Sequence, residues 1–214
     1  MKRRDFSAAS ALVVGQGLLP AVWAQAKKPE PGGEYLRLGK QVAVDAAAGM
    51  IEVVEFFWYS CPHCNAFEPA LEAWIKRLPK DVSMRRVPVG FRDDFVPQQR
   101  LYYTLEAMGL VEQLHAKVFA SIHAERQQLS KGDAIADWAA KQGVDRAKFG
   151  EVFNSFGVAT KSTRATQLQN DYRVEGVPAL GVAGRFYTDG SLAGDMPRAL
   201  QVVDFLLAEV RAGR

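Results

Sequence analysis

The sequence predicts an α/β domain interrupted by an all-helical insertion. Three observations predict it. Ile51-Glu52-Val53-Val54-Glu55-Phe56-Phe57-Trp58 is a β-branched and aromatic run with only two acids, the pattern of a strand buried on both faces. From about residue 95 to 172 strand signals are absent and helical spacing recurs. Strand character then returns at Ala179–Ala183, ahead of a last amphipathic segment. Runs of this kind in the order strand, helix, strand, helical block, hairpin, helix make one sheet covered by helices.

The elements follow in chain order. Lys27 to Gly33 carries Pro29, Pro31, Gly32 and Gly33 and reads as a flexible lead-in. Beyond the first strand, Phe67, Leu71, Trp74 and Leu78 fall on one face of a helix, which Pro79 and Asp81 end. Val82 to Val89 is extended again, with Pro88 marking a strand end. Leu110, Leu114, Val118 and Ile122 repeat every four residues as a helix does. Ser130 and Asp133 resemble a capping box ahead of Ile135, Trp138 and Ala139. Gly143 closes that helix, and Asp145 caps a further one carrying Phe149, Val152, Phe153 and Phe156. Gly184 turns Ala179–Ala183 into Arg185–Thr188, a hairpin, and Leu200, Val203, Leu207 and Val210 mark the closing helix.

Composition narrows the function classes. A hydrophobic share of 48% and a charged share of 24% exclude wholesale disorder. The formal charge of +3 on 214 residues is mild and gives no reason to expect a nucleic-acid partner. Lys2, Arg3 and Arg4 precede a weakly apolar stretch from Ala8 to Val22, with small residues at Ala24 and Ala26. This is the layout of a secretory signal peptide over residues 1–24, cleaved after Ala24 or Ala26. Arg3-Arg4-Asp5-Phe6 also resembles a twin-arginine signal, so the general secretory and twin-arginine routes both stay open. Either route ends in a compartment where disulfides persist, the periplasm. Cleavage removes three basic residues and one acid, leaving 24 basic against 23 acidic.

The only cysteines are Cys61 and Cys64, which excludes a disulfide scaffold and a four-cysteine zinc site. They stand where the buried strand gives way to a helix. A cysteine at a helix N-terminus meets unpaired N–H groups and the positive end of the macrodipole, both of which stabilise its thiolate. Cys61 is the expected nucleophile, Pro62 suits the first helical turn, and a protonated His63 adds stabilising charge. Cys64, one turn on, is placed to resolve a mixed disulfide. An inert structural bridge and a metal site are the competing readings. Four residues close too short a loop to stabilise much, and His115 and His123 read as surface histidines rather than further ligands. Glu55 interrupts the apolar strand six residues before Cys61. It is either a buried acid that exchanges protons with Cys64 or a carboxylate paired with Arg85 or Arg86. Trp58, Tyr59 and Phe67 offer an apolar surface to unfolded substrate, with core packing expected for at least one of them.

Glu55-Phe56-Phe57, Cys61-Pro62-His63-Cys64 and the distant Gly176-Val177-Pro178-Ala179 closely resemble the bacterial DsbA family of periplasmic thiol:disulfide interchange proteins, within the thioredoxin superfamily. The similarity in element order runs from about Gly39 to the C-terminus. It implies a thioredoxin-like fold in two parts, 25–94 and 173–214, around a helical insertion at 95–172. It also implies a redox-active Cys61–Cys64 disulfide, a cis bond at Val177–Pro178 and a substrate-binding backbone at Val177. Arg86 falls where the family often has a basic residue near the buried acid.

The function implied is oxidation of reduced, unfolded exported polypeptides, with no organic cofactor or metal. Reoxidation would come from a DsbB-like, quinone-coupled membrane partner. Strand character begins soon after the signal, so a dimerisation module of the isomerase kind is not expected, and a monomer is. A reductase or isomerase of the same fold, or a peptide-binding chaperone module with incidental cysteines, are the alternatives.

Overall fold

The structure is a computed structural model that describes residues 28–213; the signal segment and both cleavage positions lie outside the described residues. The five-stranded sheet is ordered β1-β5-β4-β2-β3, from β1 (Leu36–Arg37), β2 (Ile51–Phe57), β3 (Val82–Pro88), β4 (Ala179–Val182) and β5 (Phe186–Asp189). β2 runs parallel to β3 and antiparallel to β4. Parallel neighbours need a crossover connection, and α1 (Pro62–Ile75) supplies it. Between β3 and β4 come α2 (Val96–Ala107), α3 (Val111–His123), α4 (Gly132–Lys141), α5 (Arg146–Phe153) and α6 (Phe156–Asp171). The short α7 (Gly190–Ala193) and the long α8 (Met196–Arg211) follow β5.

Alternation along β2 divides the core. Val53 packs with Leu71 and Trp74 of α1 and with Val203 and Leu207 of α8. Val54 and Phe56 point the other way, toward Tyr172 and the helical block. Six of the seven β2 residues are buried, as a central strand covered on both faces requires. Trp74 Nε1 donates to Asp204 Oδ1 at 2.8 Å, which ties α1 to α8 and satisfies the one polar atom of a fully buried ring.

Several expectations change in the helical block. Ser130 and Asp133 form no capping box: Lys131 is the N-cap of α4, in extended conformation and without a side-chain cap bond. Asp145 caps α5 as expected, its side chain accepting from the Lys148 amide at 2.7 Å. Phe156 does not share that helix. Ser155 accepts from the Val158 amide and starts α6, leaving Phe156 87% exposed in its first turn. Nor is the described part of the lead-in loose: Pro31 bridges to Tyr35, which is buried against Phe186. Pro69 sits inside α1, where it removes one intrahelical hydrogen bond.

Candidate active site

The end of β2 and the start of α1 place the cysteines. Cys61 is the N-cap of α1, in extended conformation, with Pro62 at the first helical position. Its Sγ accepts from the Cys64 amide at 3.4 Å, one of the N–H groups that the first turn leaves without an intrahelical partner. Both cysteines are free thiols here, so this is the dithiol form. The Cys61 thiol is lowered to about 6, first by the hydrogen bond from the Cys64 thiol and then by the amides of Cys64 and His63, with the His63 charge last; burial opposes these. Cys64 moves the opposite way, pushed far up by burial and by its neighbour Cys61. One sulfur is thus poised as thiolate at neutral pH while the other holds its proton, the asymmetry that disulfide exchange uses.

The hairpin half of the fold meets the pair. The Val177–Pro178 peptide bond is cis, and the Val177 carbonyl oxygen lies 3.4 Å from Cys61 Sγ, within reach of its S–H. His63, Val177 and Pro178 line a cleft of about 450 Å³ with Asp189, Asp195 and Met196. His63 is exposed at its edge.

Glu55 is fully buried and faces α1 from beneath. Of its two candidate partners the structure selects Arg86, whose Nε donates to Glu55 Oε2 at 3.1 Å; Arg85 bonds Asp45 instead. Two further acids, Glu68 and Glu72 of α1, share the same guanidinium at 3.4 and 2.5 Å. Neither was anticipated. Their spacing of four, flanking the Phe67/Leu71 stripe, marks them as boundary positions on α1, and only the arrival of Arg86 from β3 makes them part of the site.

The histidines correct the sequence reading. His115 is 4% exposed, not on the surface: its Nδ1 is 2.8 Å from the Tyr59 hydroxyl and its Nε2 3.4 Å from Glu68 Oε1. His123 is half-buried, with Nε2 2.8 Å from the Tyr59 carbonyl oxygen. Among the described residues, no cluster of three His, Cys, Asp or Glu is arranged to hold a metal ion. Tyr59 and Phe67 are core residues, while Trp58 is half-buried and stacks on Phe95 at 4.1 Å between ring centroids.

An acidic thiol beside the Val177 backbone, a proton-holding thiol one helical turn on and a sheet of this order define a protein thiol:disulfide oxidoreductase on a thioredoxin-like fold. The chain belongs to the DsbA family. The model of the DSBA-like thioredoxin domain matches residues 93–200. The thiol:disulfide interchange protein DsbA of Bordetella parapertussis is 45% identical over 205 residues, 95% of this chain and 95% of its own length. That of Burkholderia cepacia is 39% identical over 204 residues, covering 94% of this chain and 96% of its own length. Among solved structures, Pseudomonas aeruginosa DsbA superposes with a TM-score of 0.81 at 39% identity, over 85% of this chain and 94% of the other. The oxidoreductase DsbA of Xylella fastidiosa gives 0.81 at 31% identity, over 86% and 99%.

Proposed function

We propose that this protein is a periplasmic dithiol oxidase that donates a Cys61–Cys64 disulfide to reduced, unfolded exported polypeptides. The carrying observation is the thiol of Cys61, lowered to about 6 at the N-cap of α1. A thiolate that comfortable stabilises the reduced enzyme and makes its disulfide the stronger oxidant.

In the forward direction a substrate thiolate attacks Cys61 Sγ, forming a mixed disulfide and expelling Cys64 as thiolate. Glu55, kept protonated by its burial, gives Cys64 a proton and later regains one from solvent. A second substrate thiolate attacks the substrate sulfur of the mixed disulfide, and Cys61 leaves as a stabilised thiolate. The substrate dithiol is oxidised to a disulfide and the enzyme is reduced to its dithiol. When no second substrate thiol is in reach, Cys64 resolves the mixed disulfide. Pro62 and His63 serve the Cys61 thiolate, one by shaping the first turn and the other by charge. Val177, beside Pro178 in the cleft, offers its backbone to an extended substrate strand. The helices of 95–172 form an inserted domain on the two-part fold of 25–94 and 173–214. The reduced enzyme is reoxidised by a DsbB-like, quinone-coupled membrane partner, and it acts as a monomer.

Equilibration with glutathione buffers at neutral pH, read by tryptophan fluorescence, tests the direction. An oxidase remains reduced in buffers where a thioredoxin-class pair, at about −270 mV, is already oxidised. A potential near the thioredoxin value, together with a Cys61 titration near ~8.5, would overturn the reading.

A further inference from the structure

The exchange steps above leave His115 without a task, although it is buried beside their machinery. It projects from α3 of the helical block into a cage made by Phe57, Tyr59, Tyr102 and Phe119, with ring centroids 5.2–5.9 Å from its own. A carboxylate only accepts, so the 3.4 Å contact to Glu68 requires the proton on Nε2. Nδ1 of the neutral ring then accepts from the Tyr59 hydroxyl at 2.8 Å. Burial favours that neutral ring, with Glu68 opposing.

Beyond Glu68 the polar contacts continue without a break. Glu68 Oε2 and Glu72 Oε1 accept from Arg86 Nη2, and Glu55 Oε2 accepts from Arg86 Nε. Glu55 Oε1 is buried with no hydrogen-bond partner among the described residues. Glu68, Glu72, Arg86 and His115 also line a cavity of about 580 Å³ between α1 and α3, which Lys76 and Glu112 border. This cavity shares no lining residue with the cleft at Val177 and Pro178. The groups around His115 are therefore Tyr59 ahead of α1, Glu68 and Glu72 on α1, Arg86 on β3, Tyr102 on α2 and Glu112 on its own helix.

We propose that His115 is a positioning residue for proton exchange at Cys64: by holding Glu68 beside Arg86 it sets how readily Glu55 gives up its proton. This rests on the reading that Glu55 serves Cys64. Glu68 does two things to Glu55. It repels the Glu55 carboxylate, and it takes a share of the guanidinium that hydrogen-bonds that carboxylate. Released from His115, Glu68 turns out into the cavity, Arg86 serves Glu55 more fully, and Glu55 becomes the stronger acid.

The test is the pH profile of single-turnover reduction of the oxidised enzyme by a small dithiol, with the protonated-carboxyl infrared band as a second readout. Glu55→Gln should remove one break from the profile and one carboxyl band. His115→Phe, which fills the cage but cannot hold Glu68, should move that break and that band's titration down by roughly one pH unit. His115→Gln keeps a donor and should return both toward the parent values. Glu68→Gln removes the charge itself and should move them down as His115→Phe does; should His115→Phe fail to fold, His115→Leu, which also lacks a donor, takes its place. A break that Glu55→Gln removes but that the donor-less His115 variant leaves unmoved overturns the proposal, whatever Glu68→Gln does, and leaves the role of Glu55 standing. A profile untouched by Glu55→Gln overturns that role and the proposal with it.

Discussion

Glu55 and Arg86 stand opposite each other on parallel strands, joined by an Nε to Oε2 hydrogen bond of 3.1 Å, and yet Glu55 is a weakened acid. Burial raises it first and the charge of Glu68 second, and Arg86 recovers only part of the loss, leaving it at about 8. One cation cannot neutralise three carboxylates, and the most buried of the three keeps a proton.

Stability of the oxidised form should therefore fall as the medium turns alkaline. Between the ordinary carboxyl range and about 8, the folded protein holds a proton on Glu55 that the unfolded chain has released. The folded state binds more protons there, so stability is fully present below the unfolded value of 4.5 and drains as pH rises, by up to about 1.4 kcal/mol per pH unit. Urea unfolding of the oxidised protein, where no Cys61 thiolate adds an opposing slope, should show this fall from pH 5 to 8 in the parent and lose most of it in Glu55→Gln. Equal slopes in both proteins would rule it out.

The segment leading into Cys61 is held from the helical block, and Gln98 is its main fastener. Only 2% exposed, Gln98 accepts from the Ser60 amide at 3.2 Å and donates to Ser60 Oγ at 2.7 Å and to the Leu129 carbonyl at 3.0 Å. Gln98→Leu fits the space but strands the Leu129 carbonyl and the Ser60 amide. It should cost about 1–3 kcal/mol in urea unfolding and speed amide exchange at Ser60. Unchanged exchange at Ser60 would mean that His123 and the Trp58–Phe95 stack hold the segment without it.

How far these features were legible in the sequence depends on whether they are local. The junction at Cys61 was, because a β-branched run giving way to a four-and-three spacing is written in neighbouring residues. The Asp145 cap was legible for the same reason, whereas the one expected at Ser130 fails because α4 starts at Gly132, too late for Ser130 to cap it. His115 was misread because the Leu114/Val118 stripe of its own helix leaves it at the margin. Its burial is conferred by Phe57, Tyr59 and Tyr102, which arrive from other elements. The ring of acids around Arg86 escaped in the same way, since α1 and β3 meet only in the folded sheet.

The β4–β5 hairpin leans on Tyr172, at the end of α6. The Gly184 amide donates to the Tyr172 hydroxyl at 3.0 Å, and the ring lies so close to Gly181 that a Cβ there would stand 2.3 Å from Cε1. Gly184 itself has φ +65°, and a Cβ on it would fall 2.1 Å from the Val42 carbonyl oxygen. Gly184→Ala should thus cost more than about 2 kcal/mol, combining strain with a backbone clash. Tyr172→Phe loses only the hydroxyl and strands one buried amide, about 1–3 kcal/mol. Thermal unfolding should rank Gly184→Ala as the more damaging; the reverse order would place the weight on the tyrosine hydroxyl.

The asymmetry between Cys61 and Cys64 has a thermodynamic signature in the folded protein itself. The thiolate absorbance of the reduced form should titrate near 6. Cys64→Ala should raise that midpoint more than His63→Ala, because the Cys64 thiol is the largest stabiliser of the thiolate and the His63 charge the smallest of those named. Between 6 and the ordinary thiol range near about 8.5, the unfolded reduced chain carries a proton that the folded one has shed. Here the unfolded state binds more protons, so the reduced form gains stability as pH rises and loses it as pH falls through 6, at most about 1.4 kcal/mol per pH unit and less to the extent that the cleft admits solvent. The oxidised form has no thiol to titrate, and the Glu55 slope cancels in the comparison insofar as both forms share it. Urea unfolding of the two forms across this window should show a gap that widens toward alkaline pH in favour of the reduced protein. That gap is the driving force for disulfide donation, so a gap that stays constant with pH would remove the Cys61 thiolate as its source.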